Sequence, residues 1–231
     1  MVRYSCLPDE LMNSHQGESV IIIANGPSTG DFDLTDSFFT ENITFGCNRL
    51  GEIFKPTYYC LIAGETLSRY QHLVPSSSVF FYSQVMSRHP SFQHNLLTKR
   101  GIKVRGSISN RVGLPTIGKM YHGGNSGTWM MHVAYQMGFA RFFLLGLDGW
   151  SRGGRLHFYG NESVPESIDY TKREKMVEEH LNLFVQGLER EGKGVWNLSQ
   201  RSVYESAPKC TLEQAKDVVK YPWNSKEKIK C

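Results

Sequence analysis

The sequence predicts an α/β fold: a single doubly wound, mainly parallel sheet with a lid loop. Three observations predict it. The run Val20-Ile21-Ile22-Ile23 is short, continuous and β-branched, the pattern of a strand covered on both faces, and it enters the turn Ala24-Asn25-Gly26-Pro27-Ser28. A glycine-rich loop over 121–128 opens an apolar helix, and a second buried run, Phe142-Phe143-Leu144-Leu145, follows at once. A charged amphipathic helix over 169–191 then leads to a last strand at 195–198.

The remaining elements follow in chain order. Residues 1–19 are polar and irregular, with a short helical turn at 9–13, and form an N-terminal arm. The catalytic domain is expected over 20–210. After the first strand, Asp31, Asp33 and Asp36 occupy a loop or short helix, where turn formation and capping suit them better than metal binding. Strands are expected at 43–49, 57–63 and 77–83, with an edge strand at 102–104. The stretch 84–118 is basic and poorly periodic, with His89, His94, Lys99, Arg100, Lys103, Arg105 and Arg111, and suits acceptor contacts or a solvated loop. Gly138 stops the apolar helix. The lid is expected at about 151–168, with Arg152, Arg155, His157, Tyr159 and Asn161, and a tail carrying a short helix at 211–231. On the late helix, Met176, His180, Leu183, Phe184 and Leu188 form the expected apolar face.

Composition bounds the class of protein. At 231 residues, 40% hydrophobic, the chain is long enough for one sizeable core. A net charge of +4 is compatible with an anionic ligand without selecting one. Five scattered cysteines show no metal-ligand spacing and read as reduced thiols of a cytoplasmic protein, and no run is long and apolar enough to span a membrane. The tail's Lys226, Lys228 and Lys230 suit a solvated end better than a peripheral contact to an anionic surface.

The candidate binding residues cluster at expected strand ends and one helix start. In doubly wound sheets, ligands bind outside the carboxyl ends of the strands, and phosphates sit on exposed backbone amides there. Asn25, Gly26, Pro27 and Ser28 follow the first strand, and Asn48 and Arg49 the second. Asn125, Ser126 and Gly127 open the apolar helix, and Asp148 leaves the strand before Gly149. The spacing is neither the dinucleotide fingerprint nor a Walker loop. A nucleotide is the first ligand these residues suggest, with Asp148 available to bind a ribose hydroxyl or to act in the chemistry.

Asn25-Gly26-Pro27-Ser28, Gly46-Cys47-Asn48-Arg49, Asn125-Ser126-Gly127 and Leu145-Gly146-Leu147-Asp148, in that order, resemble the bacterial sialyltransferases that modify lipooligosaccharide. The likeness covers roughly 20–208. It implies a Rossmann-like, GT-A-like domain with a lid that uses CMP-sialic acid without a metal. It also implies that Asn25 and Asn48 contact the nucleotide's phosphates and ribose, that Ser126 and Gly127 hold a phosphate, and that Asp148 lies near the nucleotide's sugar or base. Archaeal pterin pyrophosphokinases and flagellin-glycosylation accessory factors share the Asn-Gly-Pro-Ser opening. Two positions depart from the family. Ser167-Ile168-Asp169-Tyr170 stands where its catalytic histidine precedes the late helix, and His122 and Gly123 stand near the place of its arginine.

The expected activity is transfer of a sugar from a CMP- or UDP-sugar to an acceptor hydroxyl, on a glycan or, in a phage-type variant, on a hydroxymethylated base in DNA. His157 is the first candidate general base, because an imidazole titrates near neutral pH, with Asp169 and Asp148 as alternatives. An ATP-dependent pyrophosphokinase and a non-catalytic nucleotide-binding protein are the competing expectations.

Overall fold

β1 (Ser19–Ile23) is buried at all five positions and lies inside the sheet, with β2 (Thr44–Cys47) on one side and β8 (Arg141–Leu145) on the other. The structure, a computed structural model, describes residues 6–84, 100–108, 119–121, 125–150, 156–160 and 169–220. Beyond β2 come β3 (Tyr58–Leu61), β4 (Val79–Ser83) and the edge strand β5 (Ile102–Val104). β9 (Gly194–Asn197) forms the far edge next to β8, and the seven strands β5-β4-β3-β2-β1-β8-β9 pair in parallel throughout. A separate parallel pair, β6 (Ser107–Ile108) and β7 (Met120–Tyr121), falls in a region where the sequence shows no strand period.

Alternate residues of each inner strand feed opposite layers, which is why these runs are apolar without interruption. Val20 and Ile22 join Phe142 and Leu144 under α3 (Ser126–Gln136) and α4 (Tyr170–Arg190). Ile21 and Ile23 join Phe143 and Leu145 beneath α1 (Ser37–Thr40) and α5 (Leu212–Lys220). α2 (Gly64–Tyr70) covers Tyr59, Leu61 and Phe80 with Leu67 and Tyr70. α3 and α4 meet at His132 and His180, both fully buried, whose Nε2 atoms lie 2.7 Å apart, so that one ring donates and the other accepts.

The termini of the helices are closed by the chain itself. Asn13, His15 and Gly17 donate backbone N–H groups to the carbonyls of Gln136, Met137 and Gly138, so the N-terminal arm satisfies the end of α3. Gly138, at φ +94°, makes the turn out of that helix. Asp36 caps α1 by accepting from the Phe38 amide and pairs with Lys216 of α5 at 2.8 Å. Asp33 accepts from Thr35, and Asp31 pairs with Arg201. The three aspartates are turn formers, caps and ion-pair partners, as their spacing suggests.

The buried stripe of α4 is rotated from the expected one. Val177, His180, Leu181, Phe184, Val185 and Leu188 face the core, whereas Leu183 is 38% exposed. The stripe is broad enough that a reading through Met176 and Leu183 misses its centre at Val177 and Leu181. Of the basic stretch, Arg100, Lys103 and Arg105 flank or lie on β5, and His89, His94, Lys99 and Arg111 lie outside the described residues. His122, Gly123, Arg152, Arg155, Asn161, Ser167, Ile168 and the residues 221–231 also lie outside them. Among the described residues no helix is long and apolar enough to cross a membrane.

The rotated stripe has a direct check in thermal or denaturant unfolding. Phe184→Ala is expected to cost about 3–5 kcal/mol, as for large core truncations, and Leu183→Ala no more than about 0.5 kcal/mol, as for a surface change.

Candidate functional site

The chain leaves β1 toward α1 on one face, whereas α3 enters β8 from the other, so a crevice opens at the carboxyl ends of β1 and β8. This is the topological switch point of an open α/β sheet. The cleft there has a volume of about 140 Å³. Its wall comprises Ala24, Asn25 and Gly26 after β1, Cys47 and Asn48 at the end of β2, and Asn125, Ser126 and Gly127 at the start of α3. Gly146 to Trp150 after β8, Leu156 and His157 of the lid, and Tyr204 complete it.

Two loops approach each other closely at the floor. The β1–β8 hydrogen bonding continues past both strands, from Ala24 N to Leu145 O and from Gly26 N to Gly146 O, each at 2.8 Å. A Cβ on Gly26 would lie 2.4 Å from both Gly146 O and Asp148 Oδ2, so only glycine fits. Gly146, at φ +72°, is excluded from other residue types twice over, because a Cβ there would lie 2.1 Å from Thr29 Oγ1. Through this contact the Ser28 amide donates to Asp148 Oδ2 at 2.7 Å, a charge-assisted bond at the start of a 3₁₀ turn.

Asn25 is a clamp within the scaffold. Its Nδ2 donates to Cys47 O and Cys47 Sγ at 3.0 Å each, its Oδ1 accepts from the Arg49 amide at 3.2 Å, and its carbonyl accepts from Phe158 N at 3.0 Å. It therefore positions the end of β2 and the lid while its side chain lines the cleft. Asn48, at φ +50°, turns the chain out of β2, and Tyr59 donates its hydroxyl to the Asn48 carbonyl.

The start of α3 differs from an open anion site in one respect. Asn125 caps the helix, its Oδ1 accepting from Gly127 N at 2.7 Å and Thr128 N at 3.4 Å. A phosphate placed there meets the Ser126 end of the turn first, because the cap already takes two of the donors. Gly127 allows the helix to pack on Leu147, whose Cδ1 would be 2.2 Å from an added Cβ.

The described residues 156–160 contribute Leu156 and His157 to the cleft wall. Phe158 is buried, the His157 and Tyr159 rings stack at 4.8 Å, and the Arg49 guanidinium sits 4.4 Å from the centre of the Tyr159 ring. Arg49 also makes a bidentate pair with Glu52 at 2.8 Å. Of the residues expected at the site, Pro27, Ser28 and Arg49 are not on the wall. Asp169 is not on the wall: it caps α4, its Oδ1 accepting from Lys172 N at 2.9 Å. Tyr204 and Trp150 are wall residues that the motifs do not announce. Trp150 donates its amide to Glu174 Oε1 and lies 5.8 Å from the Tyr170 ring.

Cys47 is on the wall and fully buried. Burial pushes its thiol from an ordinary 9.0 up to about 12, although hydrogen bonds from Asn25 and Ser126 act in the opposite direction.

The open parallel sheet with its cleft at the switch point makes this chain a Rossmann-like α/β protein. No family model matches the sequence, and no curated protein matches it. Among solved structures, it is similar to the sialyltransferase CstII from Campylobacter jejuni in complex with the substrate analogue cytidine-5′-monophosphate. That match has 13% identity and a TM-score of 0.51, and covers 85% of this chain and 86% of that one. A point variant of an α-2,3/8-sialyltransferase CstII matches at 12% identity and a TM-score of 0.47, over 84% and 87% of the two chains. At 13% identity the likeness is one of fold alone.

Two measurements test the floor and the thiol. Gly26→Ala is expected to cost about 1–3 kcal/mol in unfolding experiments, the range for forced overpacking. Native Cys47 is expected to resist alkylation at pH 8.5, read by peptide mass mapping, whereas the unfolded chain reacts. Because its folded pKa is raised, its contribution to stability is intact below pH 9.0 and falls as the pH rises toward about 12.

Proposed function

We propose that the chain is a glycosyltransferase that holds a CMP- or UDP-sugar in the switch-point cleft and transfers the sugar to an acceptor hydroxyl. The observation that carries this reading is the convergence of Asn25-Gly26, Asn48, Asn125 to Gly127 and Asp148 from four separate stretches onto one cleft wall. The likeness of fold to the sialyltransferase CstII in complex with cytidine-5′-monophosphate supports it further.

In this reading the nucleotide's phosphate lies toward Ser126, where the α3 dipole and the Ser126 amide and hydroxyl favour negative charge. Asp148 is held in place by the Ser28 amide and faces the nucleoside. The acceptor oxygen forms the new bond to the anomeric carbon as the bond from that carbon to the phosphate oxygen breaks. The acceptor's proton passes to His157, and the nucleotide departs with the electron pair on its phosphate. His157 is chosen over Asp169 because it lies on the cleft wall, whereas the Asp169 carboxylate caps a helix. No metal is assigned a step in this scheme.

The test is a thermal-shift panel with CMP, UDP, GDP and ATP with magnesium. A ligand at 100 times its dissociation constant stabilises the native state by about 2.7 kcal/mol. CMP or UDP is expected to raise the midpoint, and a shift confined to ATP with magnesium would replace this reading with the pyrophosphokinase. His157→Ala is expected to keep the nucleotide shift and to lower turnover by about 10²–10⁴-fold, the usual share of a general base. Unchanged turnover would remove His157 from the mechanism.

A further inference from the structure

Three buried polar atoms on the cleft wall have no hydrogen-bond partner among the described residues: the Tyr204 hydroxyl, Asp148 Oδ1 and Asn48 Oδ1. Native structures rarely leave such atoms unsatisfied, so three carried by residues of one wall are available to bond a ligand. Tyr204 is 1% exposed and Asp148 8%.

The loop that carries Tyr204 is fastened to the loop that carries Asp148. Val203 N donates to Asp148 O at 2.9 Å, Ser202 Oγ donates to Leu147 O at 2.7 Å, and Tyr204 N donates to Ser202 Oγ at 3.2 Å. A Cβ on Gly149 would lie 2.4 Å from Val203 Cγ2, so the two loops are also in close steric contact. Burial, together with the carboxylates of Glu174, Glu178 and Asp148, pushes the Tyr204 phenol above its ordinary range, and it stays a hydrogen-bond donor at any working pH. Asp148 already accepts at Oδ2 from the Ser28 amide, and its Oδ1 is a second acceptor on the same side chain.

We propose that Tyr204 is a specificity-determining residue that acts with Asp148 as a donor–acceptor pair, reading a ligand group that carries an acceptor and an N–H or O–H donor side by side. The inference rests on the nucleotide reading above and assigns a ligand contact to a residue outside every recognised motif. Two parts of a nucleotide have this chemistry, the hydrogen-bonding edge of the base and the ribose hydroxyls.

The experiment is calorimetric titration of wild-type protein, Tyr204→Phe, Asp148→Asn and the double variant with CMP, 2′-deoxy-CMP and ribose 5-phosphate, or the uridine compounds if the panel selects uridine. Tyr204→Phe is expected to lose about five- to tenfold in CMP affinity, the worth of one hydrogen bond. Its ligand-free melting point is expected to be unchanged or higher, because the hydroxyl it removes has no partner in the fold. The double variant is expected to lose less than the product of the two single losses, as for residues that share one ligand group. If the base is read, the Tyr204→Phe loss persists with 2′-deoxy-CMP and vanishes with ribose 5-phosphate, and if the 2′-hydroxyl is read the two results exchange. Equal affinity of wild-type and Tyr204→Phe for all ligands, a melting point several degrees lower, or strictly multiplicative losses would overturn the proposal and leave the nucleotide site standing. Failure of the wild-type protein to bind any nucleotide would overturn both.

Discussion

The approach of the β1 turn to the β8 turn is the constraint on which the rest of the site depends. Hydrogen bonding that continues beyond the strands brings Gly26 N to 2.8 Å from Gly146 O, and at that separation no side chain fits between the loops. The Ser28 amide then reaches Asp148, and Asp148 takes one fixed orientation. Everything on the wall is referred to that carboxylate: Asn25 clamps the end of β2 beside it, α3 packs on Leu147 next to it, and the Tyr204 loop bonds to its carbonyl. The glycines act by their absence of volume, and their effect is to bring four charged or polar segments into one cleft.

Much of this was legible in the sequence, and for a physical reason. Strands buried on both faces must be apolar at every position, so β1 and β8 stand out from their surroundings. The turns after them stand out too, because close backbone approach demands glycine. What was not legible depended on distant partners. α2 buries only Leu67 and Tyr70, too little periodicity to announce a helix. The α4 stripe is set by which residues meet Phe142 and His132, and the helix alone is compatible with several phases.

The site shows the same division between residue and role. Asn25 and Asn125 were legible as candidates and both line the cleft, but the bonds that occupy their side chains were not legible. Asn25 spends its amide on Cys47, and Asn125 spends its oxygen on the first turn of its own helix. Tyr204 lies far along the chain from the recognised motifs and carries no local signal. Its place on the wall follows only from the contact of Val203 with Asp148 and Gly149.

The bond between Ser28 and Asp148 spans 120 residues of chain, and this has a consequence for biosynthesis. β1 emerges from the ribosome early, yet one of its two neighbours, β8, is made only after most of the other strands. β2 to β5 can line up on one side of β1 as they appear, because each pairs with a strand already made. The other side of β1 stays an open apolar edge until residues 141–145 have cleared the exit tunnel. A pause or truncation before that point leaves β1 as an exposed edge, a template for pairing with another nascent chain. The strand that closes this open side of β1 thus also carries the loop that brings Asp148 to the cleft.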